Sequence, residues 1–286
     1  LLAKSNADFV ISFGGGSSHD TAKGIALVAT NGGHIRDYSK GVHLSKKPQL
    51  PLVTVNTTAG TASEMTVFAI VTNQEDETKY PVVDKHFTPI IAVNDSELMV
   101  AMPAFLTATT GMDALTHAIE AYVSTAATPV TDACAIKAIE IIVNNLKDVV
   151  DDGQNREARD AMQYGEYLAG MAFSNASLGY VHSMAHQLGG VYNLSHGLCN
   201  AILLGEVSRF NAKKVPDRFV EIARAMGIDV STMTQEQAIN SAIEAIEMLS
   251  QKVGTNQRLA DLGVTEDKRH CCKVSDEAAF CLIQRP

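Results

Sequence analysis

Five residues in two stretches of the chain have the types and spacing to converge on one metal ion. Asp113 and His117 lie four apart, His182 and His186 lie four apart, and His196 follows ten residues later. Residues four apart share one face of an α-helix, about one turn from each other, so each pair can present its ligating atoms to a common point. Both stretches, residues 108–120 and 179–196, are otherwise apolar enough to be buried. A charged carboxylate there is costly unless paired or coordinated. A single Asp/His pair is explained well enough by one buried hydrogen bond, but five candidates in two buried stretches are not explained by packing. An Asp with imidazoles and no nearby thiolate suits Fe2+ or Zn2+ and does not choose between them. Catalysis at such an ion needs a position open to substrate, so one histidine is expected to stand beside the ion as a ligand's partner or a proton carrier.

A second kind of chemistry is signalled earlier in the chain. Residues 8–13 read as a strand that ends at Gly14-Gly15-Gly16, and Ser17 then opens a helix running to about Thr30. A glycine turn at a helix start offers backbone N–H groups and the positive helix end to an anion, and a Cβ there would keep a pyrophosphate away. Gly15, Gly16 and Ser17 are the residues placed to do this, although the spaced G-x-G-x-x-G pattern is not present and a plain tight turn is the competing reading. Thr57-Thr58-Ala59-Gly60-Thr61 follows a second strand, Leu52–Asn56, at the end where open α/β sheets hold ligands. The hydroxyls of Thr57, Thr58 and Thr61 could meet ribose or phosphate oxygens, or Thr61 or Ser63 could simply cap a helix. Lys79 could add a point charge to a phosphate or ribose, or be a solvated surface residue.

The elements that must position these groups change in texture near residue 100. Residues 1–95 alternate short β-branched runs with helical stretches, and residues 89–94 add a strand apolar on both faces, as buried parallel strands are. Beyond about Pro103 the pattern predicts helices at 105–122, 129–148, 155–173, 175–188, 197–210, 216–225 and 235–252. The expected division is therefore an α/β domain at 1–100 and a helical domain at 101–286.

Composition narrows the classes. The 286 residues are 46% hydrophobic and 19% charged, as in a soluble globular protein. A net charge of −9 with scattered lysines and arginines gives no footprint for nucleic acid. No apolar run approaches a membrane span and the first residues lack a secretory pattern, so a cytoplasmic location is expected. Five cysteines without a paired CxxC spacing suit reduced thiols. A start at Leu1, with the end of a helix already in progress, is expected of a chain lacking an earlier segment.

The motifs together resemble the iron-dependent, group III alcohol dehydrogenases. The resemblance rests on Gly14-Gly15-Gly16-Ser17, on Asn56-Thr57-Thr58-Ala59-Gly60-Thr61-Ala62-Ser63-Glu64, on residues 111–122 and on residues 179–190, and it spans about Ala7 to Gly263. It implies a dehydroquinate-synthase-like fold, with a partial parallel-sheet dinucleotide-binding domain followed by an all-helical metal domain. It further implies that Asp113, His117, His182 and His196 hold the metal and that His186 lies beside the nicotinamide in a proton relay. The glycine turn would bind the pyrophosphate, the double threonine would lie along the cofactor, and Lys79 would contact its ribose region. The wording is closest to the NAD-linked ethanol, methanol and 1,3-propanediol dehydrogenases. The implied reaction is hydride transfer from a small primary alcohol or diol, made more acidic by the metal, to a nicotinamide, giving the aldehyde.

Fe2+ is then the expected ion, with Zn2+ as the second choice, and NAD the expected cofactor. NADP stays open because the family's selecting segment would precede Leu1. A homo-oligomer is implied too. Two other readings compete: a zinc-dependent relative of glycerol dehydrogenase or dehydroquinate synthase, and a metal-binding fragment without catalysis. The chain departs from the family pattern at Gly205 and Ser195, where relatives usually have proline, and in the tail at residues 267–273.

Overall fold

The computed structural model describes residues 2–39, 41, 44–73 and 78–265; residues 267–273 and the cysteines 271, 272 and 281 lie outside them. After a short helix α1 (Leu2–Ser5), strand β1 (Val10–Gly14) leads through the glycine turn into helix α2 (Gly16–Asn31). Strands β1, β2 (Leu52–Asn56) and β5 (Ile91–Asn94) form a parallel sheet in the order β1-β2-β5. The register aligns Gly14 with Asn56 and Asn56 with Asn94, so the carboxyl ends of all three strands open on the same edge. A two-stranded antiparallel ribbon, β3 (Phe68–Asn73) with β4 (Thr78–Val83), places Thr72 opposite Lys79. The sequence does not announce this ribbon: β3 begins with a run of four apolar residues without alternation, and Pro81 argues against a strand in β4.

Strand β5 departs from the buried character expected of it, since Ile91, Ala92 and Val93 are all exposed. Ile11 and Phe13 on β1 are 60% and 65% exposed, and the register lines them up with Val53 and Ile91 and with Val55 and Val93. One apolar face of the sheet is thus uncovered among the described residues.

From residue 104 onward the structure is helical: α3 (Ala104–Val123), α4 (Pro129–Asp151), α5 (Arg156–Ala176), α6 (Tyr180–Tyr192), α7 (His196–Ala212), α8 (Pro216–Ala225) and α9 (Gln235–Lys252). Sequence signals set several boundaries. The Thr128 hydroxyl accepts the Thr131 N–H ahead of Pro129, Pro216 opens α8, and Thr234 and Gln237 cap α9 reciprocally. The helix expected over 175–188 is corrected: α5 continues to Ala176, Ser177 takes a left-handed φ of 66°, and α6 starts afresh after Gly179. Helix α3 has no wet face between Thr107 and Tyr122 except at Thr110. It is the axis of the main core, where Met112, Leu115 and Ile119 meet Ile139, Ile142 and Leu146 of α4. Gly205 leaves α7 unbroken, and a Cβ there would stand 2.8 Å from the Glu247 carboxylate that pairs with Arg209. Among the described residues no helix is long and apolar enough to cross a membrane.

Candidate active site

Three helices deliver the ligating groups. Asp113 and His117 project from the buried middle of α3, His182 and His186 from the first turns of α6, and His196 from the first residue of α7. Close approach makes this possible: a Cβ on Gly197 would overlap the Thr109 carbonyl, so glycine lets the start of α7 press onto α3 and bring His196 to Asp113. Nε2 of His182 and Nε2 of His196 each lie 3.5 Å from Asp113 Oδ1, and His117 Nε2 lies 3.9 Å from it. Ligands about 2.0–2.2 Å from a tetrahedral ion are about 3.3–3.6 Å apart, so the donor set and its spacing fit such an ion. Asp113, His182 and His196 form the tightest group, with all ligand atoms within 4.8 Å of one another. His117 adjoins them through Asp113. Its Nδ1 faces the Gly60 carbonyl at 3.2 Å, and its ring is stacked between Phe173 and His182, with centroids at 4.2 and 4.5 Å. His186 stands aside, stacked on His196 at 5.0 Å.

Burial governs the protonation of the cluster. It pushes the His117 imidazole down to about 3 and that of His196 down to about 4, and neighbouring imidazoles add to the effect. Burial, then the charges of His196, His182 and Lys79, hold His186 well below 6.5. These rings are neutral near pH 7, as metal ligation and proton acceptance both require. At His182 burial is outweighed by hydrogen bonds with Asp113 and Glu120, which push it up to about 9. Burial would raise the Asp113 carboxyl, but His117, His196 and His182 outweigh it and hold the group well below the usual carboxylate range.

Glu120 joins the candidate site, although its spacing alone did not single it out. Its Oε2 lies 2.6 Å from His182 Nδ1, and its Oε1 accepts the Val181 N–H at 2.6 Å. The carboxylate thus fixes the ring with Nε2 turned toward Asp113. Its signal was the α3 face itself, since positions 113, 117 and 120 follow the helical i, i+4, i+7 pattern. Glu120→Gln is expected to weaken metal binding by about 10- to 100-fold, read as metal retained after dialysis against a chelator; unchanged retention would remove this role.

The opposite wall is built by the two turns. Gly14 has a φ of 146°, and α2 begins at Gly16 with no side-chain cap on its amides. A Cβ on Gly15 would sit 2.8 Å from Thr58 Oγ1, and one on Gly16 would sit 2.9 Å from Thr61 Oγ1, so the glycine and threonine turns are in contact. Thr57 N–H donates to the Gly14 carbonyl at 3.0 Å. The capping alternative is settled against both candidates: Ala62 holds the cap position of the short helical turn Ser63–Met65, although Thr61 Oγ1 does accept the Ser63 N–H at 3.2 Å.

One cleft joins the walls. Gly16, Ser17, Thr61 and Lys79 line it together with Asp113, His117, His182, His186 and His196. Gly15, Thr57 and Thr58 are not among its lining residues. Phe68, Phe173 and Leu178 supply an apolar patch beside the histidines. Behind the threonine turn lies a buried polar network. Lys23 Nζ donates to Ser63 Oγ, Thr66 Oγ1 and the Phe68 carbonyl at 3.1, 3.2 and 2.6 Å. Glu64 and Glu166 are near enough to shift each other's carboxyl, and the Oε2 of each is buried without a hydrogen-bond partner.

A parallel sheet whose strand ends face a carboxylate–histidine cluster on helices defines a nucleotide-and-metal class of protein. Comparison with known proteins makes this specific. A model of the Fe-containing alcohol dehydrogenase family, C-terminal, matches residues 107–285, and one of the iron-containing alcohol dehydrogenases matches residues 1–96. Alcohol dehydrogenase 4 of Schizosaccharomyces pombe is 55% identical over 268 residues, which are 93% of this chain and 62% of that protein. The NAD-dependent methanol dehydrogenase of Bacillus methanolicus is 49% identical over 267 residues, 93% of this chain and 70% of that protein. The crystal structure of a 1,3-propanediol oxidoreductase superposes with a TM-score of 0.93 at 46% identity, covering 98% of this chain and 72% of that one. The chain belongs to the iron-containing alcohol dehydrogenase family, and its fold is the dehydroquinate-synthase-like one expected from its motifs.

Proposed function

We propose that the chain is the cofactor- and metal-binding part of an iron-dependent, NAD-linked dehydrogenase that converts a small primary alcohol or diol to the aldehyde. The observation that carries this reading is the shared cleft, in which an uncapped helix start and the threonine turn face the Asp113–histidine cluster. Residues 1–100 then serve the dinucleotide and residues 101–286 the metal. Asp113, His117, His182 and His196 would hold Fe2+, with Zn2+ as the alternative ion. When bound, the ion supplies Lewis acidity that makes an alcohol hydroxyl more acidic, and the nicotinamide accepts the hydride.

The chain's own residues do the rest. Gly15, Gly16 and Ser17 receive the pyrophosphate on backbone N–H groups at the positive end of α2. Thr57, Thr58 and Thr61 flank the cofactor, and Lys79 places its ammonium beside the ribose. His186, neutral and nearly buried, takes the hydroxyl proton on a ring nitrogen and passes it outward. Phe68, Phe173 and Leu178 keep water from the reacting carbon and suit a short alkyl chain. NAD in preference to NADP is supported by the naming of the methanol dehydrogenase relative. A cytoplasmic homo-oligomer belongs to the same reading and is checked by fractionation and sedimentation.

The test uses the full-length protein loaded anaerobically with Fe2+ or Zn2+. NADH is expected to form with ethanol and 1,3-propanediol and to bind in a fluorescence titration. Turnover of glycerol alone, with zinc, would favour the glycerol-dehydrogenase reading. Retained metal without NADH binding would leave a metal-binding protein only.

A further inference from the structure

Asn200 stands one helical turn after His196 on α7 and is fully buried. Its Nδ2 lies 2.6 Å from Asp113 Oδ1, 3.1 Å from His182 Nε2 and 3.2 Å from His196 Nε2. These are the three atoms of the tightest ligand group. The amide's Oδ1 is buried with no hydrogen-bond partner at all. An amide oriented this way leaves one oxygen unsatisfied, at a cost comparable to a lost hydrogen bond, in order to aim its two N–H groups at Asp113 Oδ1 and His196 Nε2.

The geometry points to Asn200 as a placeholder donor: its amide holds the lone pairs of Asp113 and His196 in the ion-free protein and gives them up to the ion. Each imidazole Nε2 has a single lone pair in the ring plane, which can serve an N–H donor or a cation and not both. The buried Asp113 carboxylate likewise keeps a donor and is not left as an uncompensated charge. Asn200 is therefore a positioning residue with a definite thermodynamic sign. It stabilises the ion-free state more than the loaded one, so it loosens metal binding while it keeps the site assembled.

This inference rests on the metal reading above. A supporting residue in the loaded site would strengthen binding, and its removal would weaken it; a placeholder predicts the reverse. The measurement is the Zn2+ dissociation constant of the full-length protein, by competition with a chelator, in wild type, Asn200→Leu, Asn200→Ala and His182→Ala. Both Asn200 variants are expected to bind Zn2+ at least about tenfold more tightly, because the ion-free reference state has lost a charge-assisted hydrogen bond. Their melting temperature should fall without metal and recover when Zn2+ is added, so the metal-induced rise exceeds that of wild type. The Co2+-loaded proteins should share one absorption spectrum, since Asn200 is not a ligand. Weaker or unchanged Zn2+ affinity in the variants, or an altered Co2+ spectrum, would overturn the placeholder role while leaving the metal site in place. Wild type binding no more Zn2+ than His182→Ala would overturn the metal reading itself.

Discussion

His182→Ala is expected to strip the protein of its ion and to lower turnover by about a thousandfold or more, because no other side chain supplies so many of the site's contacts. Its ring lies 3.5 Å from Asp113, 2.6 Å from Glu120 and 3.1 Å from Asn200, and it is stacked on His117. Alanine would leave Glu120, 2% exposed, with the Val181 N–H as its remaining hydrogen bond within the site. Removing one partner of a buried charged pair costs about 3–5 kcal/mol, so a fall in melting temperature should accompany the loss of metal. Metal analysis and initial rates on the same preparation decide the matter. A variant that keeps stoichiometric metal would show that His182 is not a ligand. His186→Ala, measured alongside, should keep the ion and lose rate alone, as suits a proton carrier outside the ligand group.

Glu166→Gln is expected to flatten the fall of stability with rising pH. Burial, then the neighbouring Glu64, raise the Glu166 carboxyl well above the 4.5 of an unperturbed glutamate, against the Ala62 N–H that favours its ionised form. The folded state therefore binds more protons than the unfolded one between 4.5 and the raised value. The stability so gained is complete below the unfolded value and is lost as pH rises through the folded one. The side-chain amide of the variant would still donate to Glu64 and accept from Ala62, with no proton to lose. From pH 5 to pH 8 the wild type should lose several degrees of melting temperature relative to the variant, at about 2–4 °C per kcal/mol for a chain of this size. Above that range Lys23, pushed down to about 8 by burial, titrates with the opposite sign in both proteins. Asp20, also raised by burial, cancels in the comparison. Parallel melting profiles would show that no shared proton joins the two glutamates.

What could be read from the sequence was whatever local spacing encodes. The i, i+4 pairs at 113/117 and 182/186 needed only helical geometry, and β2, α8 and α9 begin and end where turn and capping residues say they should. Long-range placement was not encoded that way. Nothing in the neighbourhood of Glu120 or Asn200 says that one faces Nδ1 of His182 and the other Nε2, because those contacts join residues 62 and 18 positions apart. The apolar run of β5 reads as a buried strand because composition records what a surface prefers and not what covers it. The break between α5 and α6 was legible but misplaced by a few residues, because Ser174, Asn175, Ser177 and Gly179 all offer turn chemistry and the left-handed φ falls to a serine and not to the glycine.

Ala62 carries a consequence for how the threonine wall of the cleft comes into being. It holds a left-handed φ of 51°, a conformation that disfavours alanine by roughly 1–2 kcal/mol. Two contacts from α5 keep it there: Glu166 Oε1 accepts its N–H at 2.5 Å, and Gly170 has no Cβ to collide with its methyl. The bend that presents Thr61 to the cleft is therefore imposed by a helix about a hundred residues further along the chain, and a peptide spanning β2 and this turn alone would relax out of it. The cleft is not a local module of residues 1–100 with a helical domain attached; part of its shape is borrowed, and it exists only once α5 has docked.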